Sequence, residues 1–315
     1  MTEVETSIQE TGSGTPLVSV LVTVYNREAY LREAVESALA STYRNIEVII
    51  VDDASTDRSL TIARQLKERD ARVRVYSNDA NLGDYHNRQR AASYARGCYL
   101  KYLDADDIIY PHGLQVMVEA MERFPEAGLA LSYNVIDDIA PYPQCVSSRQ
   151  AYQSFFLGNN ILAVGPSAAI IRRDAFEEVN GFSGRRHIGD TELWLKLAAR
   201  RPVIKLAPSL VWWRRHAGQE IVREGENPEI LAQRLELVLT MLRSCGDLLT
   251  AAEKEQATCK LKHQYARRLL ALTLKHRQWR AGLWLYRHSE LAPLDLLSGL
   301  RRQRAAQKSD HEAGP

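Results

Sequence analysis

The sequence lacks the marks of several large protein classes. Its four cysteines, Cys98, Cys145, Cys245 and Cys259, form no C-x-x-C pair. That argues against a zinc ribbon or a disulfide scaffold and for free thiols in a reducing compartment. No uninterrupted apolar run approaches the roughly 18 residues of a membrane span. The opening MTEVETSIQETGSGTP is acidic and polar, without the apolar core of a signal peptide, so a loose leader over 1–16 is expected. A similar tail is expected over 306–315. There is no internal repeat and no low-complexity tract. A cytoplasmic location is the expectation these absences leave.

What remains is a 315-residue chain with 45% hydrophobic and 25% charged residues, ordinary for a globular protein. That length suffices for one large α/β domain with an appendage. The net charge of +2 conceals an asymmetry: Lys260 to Arg304 holds eleven Lys or Arg against two acids, so the rest of the chain is acidic.

VSVLVTV (18–24) is a continuous apolar run rich in β-branched residues, the pattern of a strand buried on both faces. YLREAVESALA (30–40) follows with helical spacing, and IEVIIVDD (46–53) is the next strand. Asp57 or Ser59 is placed to cap a helix running to about Arg69. VRVYS (73–77), a helix near Arg88 to Ala95 and CYLKYL (98–103) complete a strand–helix alternation. The pattern predicts a doubly wound, mainly parallel sheet flanked by helices, with right-handed crossovers. Such sheets bind ligands beyond the carboxyl ends of their strands, where TVYNR, DDASTD and DADD fall. Further strands are expected in AGLALSY (127–133), SAAIIRR (167–173) and VIKLAPSLVWW, with helices at Asp174 to Val179 and TELWLKLAAR. From Pro228 to about Arg304 the pattern is helical, broken near Gly246 and Pro293.

Two acidic clusters carry the chemistry. In VDDASTD, a carboxylate at a strand tip can accept a nucleobase ring N–H, while Asp52, Asp53, Ser55 and Asp57 also suit a turn and a helix cap. In YLDADDIIYP, Asp104, Asp106 and Asp107 crowd together with no Lys or Arg within four residues of Asp106. A hard divalent cation, Mn²⁺ or Mg²⁺, takes such carboxylates and keeps positions open for phosphates. An acidic surface turn is the plainer reading of the same residues.

In combination, VSVLVTVYNREAYLREAVESALASTYRNIEVIIVDDASTD, NLGDYHNRQRAASYARGCYLKYLDADD and RRDAFEEVNGF…GDTELWLKLA resemble the family 2 glycosyltransferases of the GT-A fold. The resemblance covers about residues 17–220. It implies a GT-A domain over 17–225 and an inverting, metal-dependent transfer of a sugar from a nucleoside diphosphate, usually UDP, to a saccharide or lipid-linked hydroxyl. By the match, Thr23 and Tyr25 lie at the nucleotide end of the first strand, Asp53 is the base-binding acid, and Asn81 and Gly83 fill N-x-G. Arg88 matches the Arg of an A-R-N box, with Asn87 and Gln89 in place of its neighbours. Asp104 fits the ribose-side acid, Asp106 the metal ligand and Asp107 a second acid at the helix start.

Asp190 matches the family's general base, with Glu192 as fallback and a helix N-cap as its structural alternative. Gly189 stands where the family often carries another acid. VWWRRH resembles the aromatic-R-x-H ending, which assigns Arg214 to the pyrophosphate and His216 to the metal, although a structural histidine fits as well. The Q-x-x-R-W signature of processive synthases is absent, which favours a single transfer per encounter. The rivals are a nucleotidyltransferase, for which VYNREAY lacks the Gly-rich basic phosphate loop, and a nucleotide-sugar-binding module without turnover. The tail, 226–305, combines basic residues with Leu269, Leu270, Leu272, Leu274, Trp279, Leu283, Trp284 and Leu285. It reads either as a peripheral membrane element on the inner face or as helices packed on the catalytic domain. No nucleic-acid-binding motif accompanies the charge.

Overall fold

The computed structural model describes residues 14–133, 140–216 and 227–301. The expected leader and tail lie largely outside them. The described residues form an eight-stranded sheet from β1 (Val18–Val24), β2 (Ile46–Asp52), β3 (Val73–Ser77), β4 (Tyr99–Asp104), β6 (Leu129–Ser132), β7 (Gln144–Val146), β8 (Ala169–Arg172) and β9 (Val203–Leu206). The strand order is β3-β2-β1-β4-β8-β6-β9-β7. The first four are mutually parallel, β8 is antiparallel to both neighbours, β9 is parallel to β6 and β7 is antiparallel to β9. A small second sheet pairs β5 (Ile108–Ile109) with β10 (Val211–Trp212).

The central strands are apolar on both sides because both faces are covered. Val18, Val20, Val22 and Val24 of β1, with Val48 and Ile50 of β2, pack under α1 (Leu31–Leu39), α2 (Ser59–Arg69) and α4 (Gly113–Arg123). Leu21, Ile49 and Val51 join the opposite core with α5 (Ser148–Phe156) and α7 (Gly189–Arg200). Each strand's two-residue period thus supplies two cores.

The order of strand addition reverses beside β1: the path runs β1 to β3 on one side and then returns to β4 on the other. Such a switch point opens a crevice at the strand ends. The register sets Thr23 beside Asp104 and Val24 beside Asp52, at the mouth of that crevice.

Helix α3 spans Asp84–Ser93, four residues earlier than the sequence pattern suggested. Gly83, with φ of 86°, makes the entry turn, and its N–H donates to Asp53 Oδ2 at 3.0 Å. Leu82 N–H donates to Asp53 Oδ1 at 2.9 Å, so a carboxylate on β2 fixes where α3 begins. Helix α6 (Arg173–Glu178) follows β8 as expected.

Between β6 and β8 the chain forms β7 and then α5. Ser147 caps α5 in a reciprocal capping box with Gln150. The C-terminal region folds as α8 (Pro228–Ser244), α9 (Ala251–Leu270), α10 (Trp279–His288) and α11 (Pro293–Arg301). The expected break at Gly246 is present, with φ of 55°. A further break follows a π turn at Ala271–Lys275, with Arg277 at φ of 54° before α10.

These helices share the core of the preceding sheet unit: Leu235, Leu239, Tyr265 and Leu269 are buried with Trp194 and Phe156. Polar contacts tie them down, with Arg149 of α5 paired to Glu253 at 2.9 Å and donating to Leu248 O at 3.1 Å. Among the described residues no helix is long and apolar enough to cross a membrane.

Candidate active site

A cavity of about 730 Å³ opens at the strand-end crevice. Its lining includes Thr23, Tyr25, Asp53, Asn81, Gly83, Arg88, Asp104, Asp106, Asp107 and Asp190. Most of the residues singled out in the sequence therefore converge on one space, although they are spread over more than half the chain.

Three remote arginines serve the DADD turn, whose own segment carries no cation. Arg88 is buried and pairs with Asp104 at 2.7 Å and with Asp84 at 2.8 Å. Burial opposes its charge, but Asp104 and Asp84 hold its pKa well above the ordinary guanidinium value. Arg27 Nε donates to Asp106 Oδ2 at 3.1 Å. The Arg214 backbone N–H donates to Asp107 Oδ1 at 3.1 Å, and Arg214 Nε donates to the Asp106 carbonyl at 2.8 Å. The Arg214 guanidinium also reaches Glu33 at 2.6 Å and lies over the Tyr30 and Trp212 rings. Arg214 thus braces the turn from behind and is not among the cavity-lining residues.

His216 Nε2 lies 2.9 Å from Asp106 Oδ2, its ring against Tyr30. Among the described residues no group of three or more His, Cys, Asp or Glu forms a ready metal cage. The donors nevertheless suit a hard divalent cation that keeps open positions: a carboxylate and an imidazole meet at one point, and Asp107 Oδ2 beside them is buried without a hydrogen-bond partner among the described residues. Burial, reinforced by Asp104, pushes the Asp107 carboxyl up to about 7. Lys101, fully buried beneath the turn, donates to the Tyr102 and Ser167 carbonyls, and burial lowers its ammonium to about 7. Ser167 Oγ in turn accepts the Asp104 N–H at 2.9 Å.

Asp53 is buried, and its oxygens accept from Asn78 at 2.6 Å as well as from Leu82 and Gly83. Asn81 Nδ2 donates to the Asp53 carbonyl at 3.2 Å. The acid assigned to base binding therefore also holds the loop between β3 and α3.

Asp190 is the second residue of α7, and Ile188 occupies the N-cap without a side-chain cap bond. Its Oδ1 accepts the Thr191 N–H at 2.6 Å, so the expected N-cap alternative is not the geometry found. Burial pushes its carboxyl above the ordinary carboxylate value, against the pull of the Thr191 N–H, Arg234 and Arg88. The fallback Glu192 faces elsewhere: it accepts from Ser183, pairs with Lys196 at 2.8 Å and is absent from the cavity lining. The missing acid at Gly189 has a steric reason, because a Cβ there would stand 2.5 Å from the Tyr85 ring.

Sequence reasoning did not single out Arg27, Asp84, Tyr85, Arg234 or Arg268, all of which line the cavity. The adjacency of Asp84 and Arg88 one helical turn apart was a usable signal. For Arg234 and Arg268, one turn pattern among many basic residues, there was none.

A 3-2-1-4 parallel half-sheet with an acid-lined cavity at its strand ends defines a GT-A-type α/β protein, and comparison with known proteins agrees. The model of glycosyl transferase family 2 matches residues 19–179. The chain belongs to this family and carries its glycosyltransferase domain. It is 28% identical over 220 residues to glycosyltransferase GlyG of Streptococcus pneumoniae, covering 64% of this chain and 72% of the relative. A Rickettsia prowazekii glycosyltransferase is 30% identical over 189 residues, and the match spans 58% of each protein.

Among solved structures, S. aureus TarS 1–349 in complex with UDP-GlcNAc superposes with a TM-score of 0.67 at 18% identity, covering 94% of this chain and 91% of that one. The mannosyltransferase PcManGT of Pyrobaculum calidifontis, in complex with GDP-Man and Mn²⁺, gives 0.53 at 17% identity, covering 96% and 77%. At these identities the structures establish the shared fold.

Proposed function

We propose that this chain is an inverting, non-processive glycosyltransferase that moves a sugar from a UDP-sugar to a hydroxyl of a saccharide or lipid-linked glycan. The observation that carries the reading is the convergence of Asp53, Asp104, Asp106 and Asp190 on one cavity at a sheet switch point. Thr23, Tyr25, Asp53, Asn81, Gly83, Arg88 and Asp104 line the cavity and would surround the nucleoside, with Arg88 holding Asp84 and Asp104 in place. Asp106 and His216 would hold a divalent cation, Mn²⁺ or Mg²⁺. That ion, when bound, neutralises the diphosphate as it departs.

Asp190 removes the proton from the acceptor hydroxyl as its oxygen bonds to the anomeric carbon from the face opposite the departing UDP oxygen. One C–O bond forms, one breaks, and the proton rests on Asp190. The raised carboxyl affinity of Asp190 suits this role, since a more basic carboxylate takes a proton more readily. Arg214 contributes by fixing the backbone of the Asp106 turn.

The test is calorimetric titration of UDP with and without Mn²⁺. Wild type is expected to bind UDP about tenfold or more tightly with Mn²⁺, a step of about 1.4 kcal/mol, and Asp106→Ala to lose that gain. Equal metal dependence in the two proteins would remove Asp106 from the cation site.

The basic helices support a place at the inner face of a membrane. Leu274, Trp279 and Leu283 are exposed beside the exposed Lys275, Arg277, Arg280 and Arg287. Trp279, Leu283 and Arg287 recur at four-residue spacing on α10, which joins apolar and cationic groups on one face. That combination complements an anionic lipid surface.

A further inference from the structure

The arginines that line the cavity differ in their partners. Arg27 pairs with Asp106, and Arg88 with Asp84 and Asp104. Arg234 of α8 and Arg268 of α9 line the same cavity, and neither is paired with an acidic side chain within ion-pair distance among the described residues. Arg234 is half-buried; its Nη2 donates to the His187 carbonyl at 3.4 Å, and its Nε is buried with no hydrogen-bond partner among the described residues. Arg268 is exposed, its guanidinium carbon 5.4 Å from the Tyr265 ring centroid. Both arginines act electrostatically on Tyr265, Arg234 also acts on Asp190, and Arg234, Arg268 and Asp190 line the one cavity.

A half-buried guanidinium with an idle N–H is costly unless a ligand meets it. Two planar guanidinium groups on neighbouring helices match an oxyanion, which accepts bidentate hydrogen bonds. Both face the cavity that Asp190 also lines.

Resting on the glycosyltransferase reading, we infer that the acceptor is anionic, and that Arg234 and Arg268 bind its phosphate or carboxylate while Asp190 faces its hydroxyl. The helical appendage is then part of the active site, and it selects the acceptor through charge. Neutral glycans leave Arg234 Nε without its partner, so they are the disfavoured substrates.

The test loads the full chain with saturating UDP and Mn²⁺, which fills the donor site, and then titrates paired probes by calorimetry at constant ionic strength. The probes are glycerol 3-phosphate against glycerol and glucuronate against glucose; which anionic probe binds identifies phosphate or carboxylate as the source. Wild type is expected to prefer one anionic probe over its neutral counterpart by about tenfold or more, as for a charge-assisted bond. Arg234→Gln with Arg268→Gln removes that preference, Arg234→Lys keeps part of it, and UDP affinity stays within about twofold in all variants.

Melting temperatures check the fold. Should the double variant unfold, Arg268→Gln alone, at an exposed side chain, decides: its preference must fall. No anionic preference in wild type, or one that survives loss of the arginines, overturns the inference. A parallel fall in UDP affinity also overturns it, by assigning the arginines to the donor diphosphate. If wild type fails to bind UDP with Mn²⁺, the donor reading itself falls and this inference with it.

Discussion

Asp190 shows how one carboxylate can be read in two ways until its surroundings are known. An acid opening a helix is an ordinary cap, yet here it is the second helical residue, with its oxygen bound to the adjacent Thr191 N–H. Asp190→Asn keeps that acceptor and should change stability little. As the proposed base, Asp190 would act on a proton that moves only in the transition state, so the variant should lose about 10²–10⁴ in kcat with UDP affinity intact. Because burial raises its pKa, the wild-type rate should rise with pH through an apparent pKa above the ordinary carboxylate value, and the variant should lack that limb. Measuring kcat against pH, UDP affinity and melting temperature together separates base from scaffold. Normal turnover in the variant would end the assignment. A stability consequence has the opposite sign: the folded state holds the Asp190 proton longer than the unfolded chain does, so this group's contribution declines as pH rises through that window.

At the scale of elements, the site depends on where helices start. The Asp53 carboxylate anchors the turn that launches α3, and α3 carries Arg88 into the acid cluster. Helix α7 approaches α3 so closely that Gly189 has no room for a side chain against Tyr85. Gly189→Ala should therefore shift the first turn of α7 and carry Asp190 with it. A misplaced base costs rate before it costs binding, so kcat should fall by about tenfold or more while UDP affinity changes by less than about twofold. An unchanged kcat would mean that the Tyr85 ring yields and the helix start stays in place. The strand runs and the α1 and α7 patterns were legible because their apolar periods are strong. The early start of α3 was not, because its mean hydropathy is low and its signal is a carboxylate thirty residues upstream.

For the molecule as a whole, the acidic sheet unit and the basic helices form one body around a shared core. Leu269, Leu272 and Leu285 face inward, which answers the packing alternative, whereas Leu274, Trp279 and Leu283 face outward. Vesicle sedimentation tests what the outward face does. Wild type should bind vesicles containing anionic lipid, with roughly 1 kcal/mol from each basic residue near the surface, and bind neutral vesicles weakly. Trp279→Ser with Leu283→Ser should reduce the bound fraction several-fold without lowering the melting temperature, since both side chains are exposed. Binding that ignores lipid charge, or none at all, would leave this face without a membrane role.

The sequence by itself determined the parallel strand core, the order of the acidic strand ends and the family, because these rest on local apolar period and on motifs whose residues lie close together in the chain. The choice among structural and chemical roles for each acid was decided only in three dimensions. DADD looks unneutralised along the chain, yet Arg27, Arg88 and Arg214 reach it from 79, 16 and 108 residues away. Arg234 and Arg268 were indistinguishable from other basic residues until two helices set them in the lining of the cavity that holds Asp190. Charge acts through space, and folding, which responds chiefly to buried apolar surface, fixes those distances as a consequence of packing.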